Sequence, residues 1–313
     1  MSRIHEALRK AEQERSASQS DRRLGEADIH HSSLAVDVAP EPEALLPAAV
    51  LPGSTTDADS AQLQFDRLKA RCAESLWKPD PKVQLFSGAD SFAPGAEQFR
   101  TLRSRLYRIR ESQHLNTILI TSAMPAEGKT LVSANLAKVL VQQQGCKVLL
   151  IEADLRAPRQ CALLGAPEGR GLVDYLQVGS AESDIIQKSQ ENDLYFIQAG
   201  KLISHPAELI SNGRFKQLLA RVAGLFDWVI VDSPPILPVS DASVLSVLCD
   251  GVLMVVRAGS TPAEVSQRAC QELGDARIVG VVLNGVEKSA AAGSYYQYGY
   301  GQHAPKDSQN QKS

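Results

Sequence analysis

Apolar residues along this chain fall into short continuous runs separated by stretches of helical spacing. Ile118–Ile120 lies within the stretch TILITS, Val148–Ile151 reads VLLI, and Trp228–Val231 reads WVIV. Leu194–Ala199, Gly251–Arg257 and Arg277–Leu283 are runs of the same kind. Runs that are apolar at nearly every position, rather than alternating, predict strands buried on both faces of a parallel sheet. Between them, Leu131–Val141, Phe215–Ala223, Asp241–Leu248 and Pro262–Leu273 read as helices, and Pro206 opens a further short one. Strand and helix in alternation predict an α/β fold, a mostly parallel twisted sheet flanked by helices with right-handed crossovers.

The pattern changes toward the N-terminus. Residues 1–23 begin with SRIHEALRKAEQER, in which Ile4, Leu8 and Ala11 form a narrow apolar stripe on a charged, amphipathic helix. Residues 24–60 carry seven acids, no Lys or Arg, and four prolines, so they bury too little apolar surface to offset ordering and read as a disordered acidic, Pro-rich linker. Residues 61–91 form a helical connector, with an amphipathic helix from Ala61 to Trp77 ended by Pro79 and Pro81. A main domain follows over 92–290, opening with a helix from Gly95 to Glu111. The tail, 291–313, holds four of the seven tyrosines: Tyr295, Tyr296, Tyr298 and Tyr300. They alternate with Gly and Gln beyond the last strand, with no evident core to enter, and suit a substrate better than a core.

Composition narrows the class of function. The chain has 313 residues, 43% of them hydrophobic and 22% charged, as expected of a globular protein able to bury a substantial core. Its net charge of −3 gives no support to a general nucleic-acid-binding surface. Cys72, Cys146, Cys161, Cys249 and Cys270 are odd in number and lack a CxxC pair, which fits a reducing cytoplasm better than a disulfide framework or zinc site. No apolar run approaches the length of a membrane span, and a signal-peptide core is missing. A cytoplasmic protein is expected, reaching a membrane only through a partner.

The chemistry gathers at strand ends. After Ile120 the chain reads Thr121–Ser122–Ala123–Met124–Pro125–Ala126–Glu127–Gly128–Lys129–Thr130–Leu131 and enters a helix. Strand, tight loop, Gly-Lys-Thr and helix are the context of a P-loop, so Met124 through Leu131 are the candidate nucleotide-binding residues. Backbone amides and the positive helix end cradle phosphate oxygens. Lys129 supplies a charge at the β/γ-phosphates, and the Thr130 hydroxyl is a Mg²⁺ ligand. Ala123 stands where the first glycine is usual, a path open to alanine while its φ stays negative. Two more strands end in carboxylates, at Glu152 and Asp154 and at Asp232, where open α/β sheets bind ligands. An apolar strand followed by Asp is the usual second half of such a site, holding Mg²⁺ directly or through water.

Over Phe92 to Tyr300 these motifs resemble the bacterial tyrosine kinases of exopolysaccharide synthesis, the BY-kinases. Ala123–Thr130 is similar to their nucleotide loop, Ile151–Pro158 (IEADLRAP) to their second acidic motif, and Val231–Pro235 (VDSPP) to their third. Glu97, Arg100 and Arg103 match the ExxRxxR helix by which the family assembles into rings. The N-terminal stretch resembles the start of proteins encoded with exosortase-linked exopolysaccharide systems. The resemblance implies a P-loop NTPase fold and an ATP- and Mg²⁺-dependent autokinase acting on Tyr295, Tyr296, Tyr298 and Tyr300, in a neighbouring subunit. It implies Lys129, Glu152, Asp154 and Asp232 as catalytic residues and Thr130, Glu152 and Asp232 as metal ligands. The Glu152/Asp154 motif would accept the phenolic proton, Asn284 would lie near the adenine, and Asp241 and Arg156 would stand around the site. A homo-oligomeric ring and a membrane adaptor of the chain-length-determinant type are the implied partners.

Two residues depart from the family pattern: Glu152 replaces an aspartate, and Ala126 replaces a loop glycine. They leave room for a nucleotide-binding scaffold without phosphotransfer. A P-loop ATPase of the partitioning or division-site type shares the fold, but it carries a signature lysine at the second loop position, where this chain has Met124.

Overall fold

The computed structural model describes residues 56–79 and 94–286. The expected N-terminal helix, most of the acidic linker and the tyrosine tail lie outside the described residues. Helix α1 (Thr56–Arg71) leads to a short strand β1 (Ala73–Ser75), and α2 (Pro94–Ser112) precedes the first long strand, β2 (Thr117–Ser122). Then come α3 (Lys129–Val141), β3 (Val148–Glu152), and three short helices α4 (Gln160–Leu164), α5 (Leu172–Val178) and α6 (Glu182–Ile185). Strands β4 (Ile186–Ser189) and β5 (Leu194–Ile197) are followed by α7 (Pro206–Ser211), α8 (Arg214–Ala223) and β6 (Trp228–Asp232). The last elements are α9 (Asp241–Ser246), β7 (Gly251–Arg257), α10 (Ala263–Glu272) and β8 (Ile278–Asn284).

The strands form one eight-stranded sheet in the order β1-β4-β5-β3-β6-β2-β7-β8. From β5 to β8 every neighbour pair is parallel. The continuous apolar runs of β2, β3, β5 and β6 bury both faces, as expected, whereas the run forming β8 lies at the sheet edge and stays partly exposed. Leu119, Leu149, Ile151 and Val229 enter one core, while Ile118, Ile120, Val148, Leu150 and Ile230 enter the other. Helix α3 is wrapped by its surroundings, with Val132, Ala134, Leu136, Ala137, Val139 and Leu140 all buried.

The connector differs from expectation. The helix expected over Ala61–Trp77 begins at Thr56 and stops at Arg71, and Ala73–Ser75 instead pairs parallel with Gln187–Ser189. Trp77 lies buried at the sheet, edge-on to Phe196 at 6.1 Å between ring centroids. Sheet pairing and burial of this tryptophan override a local helical pattern. Strand β4, antiparallel to β5, is likewise not evident in the sequence because it is only four residues long and partly polar.

Candidate functional site

The central strands β3, β6 and β2 lie side by side, so their C-terminal ends bring the motifs together. Asp232 is in register with Glu152 on one side and Ile120 on the other. The chain after Asp232 crosses to the loop that leaves β2: the Ser233 amide and hydroxyl donate to the Ile120 carbonyl, and the Ile236 amide donates to the Ser122 carbonyl. This bracing fixes the start of the phosphate loop against the third acidic motif.

The loop itself is held in an unusual backbone. Gly128, at the head of α3, has φ +97°, and Ala126 has φ +65°, in the left-handed region where an L side chain is strained. Ala123 keeps a negative φ and is buried, so alanine is accommodated there as expected. Met124, Pro125 and Ala126 are exposed at the rim, whereas Glu127 is buried. One Glu127 carboxylate oxygen accepts the Met124 amide at 2.8 Å, and the other accepts the Thr261 hydroxyl. Asn284, at the end of β8, donates from Nδ2 to the Glu127 carbonyl at 2.9 Å. It packs so closely on Gly128 that a Cβ there would lie 2.0 Å from Asn284 Nδ2, so a side chain at Gly128 would displace Asn284 and be strained at this positive φ.

The three acids at the strand ends are in different states. Asp154 pairs with Lys129, Nζ to Oδ2 at 2.8 Å, and its other oxygen accepts the Ala157 amide. Glu152 has both oxygens engaged by main chain, Oε1 by the Gln160 amide at 2.5 Å and Oε2 by the Ala199 amide at 3.1 Å. Burial pushes its pKa up, and those amides oppose the shift. Glu152, expected to assist the metal and, with Asp154, to accept the phenolic proton, is turned here toward main chain: the extra methylene of glutamate carries the carboxylate onto amides that tie α4 and the end of β5 to β3.

Asp232 is the exception. Both of its oxygens are buried and without a hydrogen-bond partner. Burial raises its pKa from 3.8 to about 7, against the pull of the Lys129 charge and the neighbouring Thr130 hydroxyl. A buried carboxylate left unpartnered beside a phosphate loop is a fit for a divalent cation, and Thr130 supplies a hard oxygen next to it. Arg156 and Asp241 form a two-point ion pair of 2.8 and 2.9 Å, with Asp241 fully buried.

The helix expected to serve in assembly makes contacts of its own within the subunit. Arg100 pairs with Glu97 on the same face of α2. Arg103, however, donates to the Val139 carbonyl at 2.8 Å, docking α2 onto the last turn of α3. Arg103 thus has a structural partner within the subunit. Thr261 and Arg257 escaped the sequence reading, and no local signal marks them, because they meet the phosphate loop across more than a hundred residues. Among the described residues no helix is long and apolar enough to cross a membrane.

Comparisons with known proteins agree with this geometry. The family described as an AAA domain matches residues 116–265. The chain is 36% identical over 207 residues to the tyrosine-protein kinase YwqD of Bacillus subtilis strain 168, covering 66% of this chain and 85% of that protein. It is 35% identical over 218 residues to the tyrosine-protein kinase Etk of Escherichia coli strain K12, covering 69% of this chain but 30% of that longer protein. The solved kinase domain of the Escherichia coli enzyme superposes with a TM-score of 0.59 at 36% identity, covering 65% of this chain and 80% of that one. Nucleotide binding follows from this fold, and the chain belongs to the bacterial tyrosine kinases of the exopolysaccharide type.

Proposed function

We propose that the protein transfers the γ-phosphoryl group of ATP to tyrosines of its own tail, Tyr295, Tyr296, Tyr298 and Tyr300. The observation that carries this reading is Asp232, a buried carboxylate with two unpartnered oxygens at the mouth of a phosphate loop. Asp232 and Thr130 are the residues suited to hold Mg²⁺. The ion, when bound, neutralises phosphate charge and orients the β- and γ-phosphates. The amides of Met124 through Leu131 cradle the phosphates, with Asn284 at the rim of the loop.

Lys129 is poised to exchange partners. In exchanging Asp154 for the γ-phosphate it frees Oδ2 of Asp154, which then accepts the phenolic proton. The bond from the γ-phosphorus to its bridging oxygen breaks to leave ADP, and a bond from the tyrosine oxygen to phosphorus forms. A phenol with a pKa of about 10 needs such a base nearby. Glu152 serves here as a positioning residue, tying α4 to the strand end that carries Asp154.

Ring assembly through the face of α2 bearing Glu97 and Arg100 would present one subunit's tail to its neighbour. Each phosphate adds about −1.5 to −2 charges, so a fully labelled tail would drive subunits apart. That cycle suits regulation of exopolysaccharide polymerisation or export, with recruitment to the inner face of the plasma membrane by an adaptor of the chain-length-determinant type. The test is peptide mass spectrometry after incubation with Mg-ATP, with and without an adaptor tail, beside a Lys129→Ala control. Phosphate on the tail tyrosines, absent from the control, is the expected result. ATP turnover with no tail label under any adaptor would move the assignment to a nucleotide-binding regulator.

A further inference from the structure

The phosphate loop is gripped from outside the strand–loop–helix unit that encodes it. Thr261, in the β7–α10 connection, donates its hydroxyl to a Glu127 oxygen, whose sister oxygen accepts the Met124 amide at 2.8 Å. Arg257, at the end of β7, donates to the Ala126 carbonyl at 3.2 Å, and Asn284 donates to the Glu127 carbonyl at 2.9 Å. These contacts bracket the residue with φ +65° that is not glycine. An alanine resists the left-handed conformation, so the loop needs an external hold to keep it.

We propose that Thr261, with Arg257, is a positioning residue that holds Ala126 left-handed and so aims the loop amides at the phosphates. The positive φ values at Ala126 and Gly128 flank Glu127 and shape the concave run of amides that anions favour. Without the Thr261 hydroxyl, the Glu127 carboxylate loses one of its two hydrogen bonds and Ala126 is free to relax to negative φ. The amide of Glu127 then turns away from the phosphate. A glycine at position 126 keeps the turn without help, so the hold matters because this chain has alanine there. The inference rests on nucleotide binding at this loop and is independent of phosphotransfer to the tail.

The experiment is titration calorimetry of the full chain with Mg-ADP, comparing wild type, Thr261→Val, Thr261→Ser, Ala126→Gly and the Ala126→Gly/Thr261→Val pair. Losing a hydrogen bond to a buried carboxylate should weaken nucleotide binding about ten-fold in Thr261→Val, and Thr261→Ser should stay within about two-fold of wild type. In the Ala126→Gly background the same valine should cost about three-fold or less, because the strain that the hold opposes is gone. Equal losses in both backgrounds, or wild-type affinity in Thr261→Val, would overturn the proposal. Should Thr261→Val fail to fold, Arg257→Gln, an exposed position, carries the same two-background comparison. Wild-type protein that binds no Mg-ADP would sink the nucleotide reading as well, whereas normal binding without tail labelling would sink only the kinase step.

Discussion

At Ala126 the chain keeps a side chain where the backbone geometry favours glycine, and the strain is local and measurable. The left-handed conformation costs an L residue about 1–2 kcal/mol, partly offset in a comparison with glycine by the greater freedom of glycine in the unfolded chain. Ala126→Gly should therefore raise the unfolding free energy by about 0.5–1 kcal/mol in urea titrations; a loss of stability would mean that the turn is not strained. Asp232 is the larger burden. With its pKa raised from 3.8 to about 7, the folded state binds a proton more tightly than the unfolded chain. The associated stability is present below the unfolded value and is lost as the pH rises through about 7, by at most about 4 kcal/mol for the nucleotide-free protein. Asp232→Asn should flatten that decline in thermal melts between pH 4 and 7, while abolishing Mg²⁺-dependent nucleotide binding. A variant with the wild-type pH slope would show that another group is responsible.

At the scale of elements, α2 is held by arginines that reach main-chain carbonyls. Arg103 meets the Val139 carbonyl in the last turn of α3, and Arg110 meets the Asp227 carbonyl at 2.9 Å while lying over the Trp228 ring. Carbonyls at a helix C-terminus are unpaired and carry the negative end of the dipole, which suits a guanidinium. Arg103→Ala should thus lower stability by about 1–2 kcal/mol in denaturant melts of the monomer. Unchanged stability with lost assembly would return Arg103 to a ring contact. Glu97 and Arg100 of the expected ExxRxxR face pair with each other along the helix, and a charge swap there is the cleaner probe of assembly.

For the whole molecule, the sheet stops at β8 with apolar surface still uncovered among the described residues. Val281 and Leu283 are 60% and 59% exposed, on a strand with no charged residue between Ile278 and Asn284. Such an edge invites pairing with another chain, and a single lysine on it is the usual remedy. Val281→Lys should reduce concentration-dependent light scattering while leaving the Mg-ADP-induced shift in melting temperature unchanged. Undiminished scattering would place the sticky surface elsewhere.

The parallel sheet, the phosphate loop and the acidic strand ends were legible because each is written locally. Continuous apolar runs mark strands buried on both faces, and Gly128–Lys129–Thr130 sits between a strand and a helix in one stretch of chain. The fate of Cys72–Trp77 was not legible, since a strand of three residues is decided by the neighbour it pairs with. Nor were Thr261 and Arg257, whose partners are distant in sequence. Above all, sequence alone could name Glu152, Asp154 and Asp232 as candidate acids but not rank them. Tertiary structure separates them by what faces each carboxylate: main-chain amides at Glu152, Lys129 and an amide at Asp154, and at Asp232 no main-chain amide, only the neighbouring Thr130 hydroxyl and the Lys129 charge. A buried charge is settled by its nearest partners, and those arrive from other strands and loops only when the sheet has closed around it.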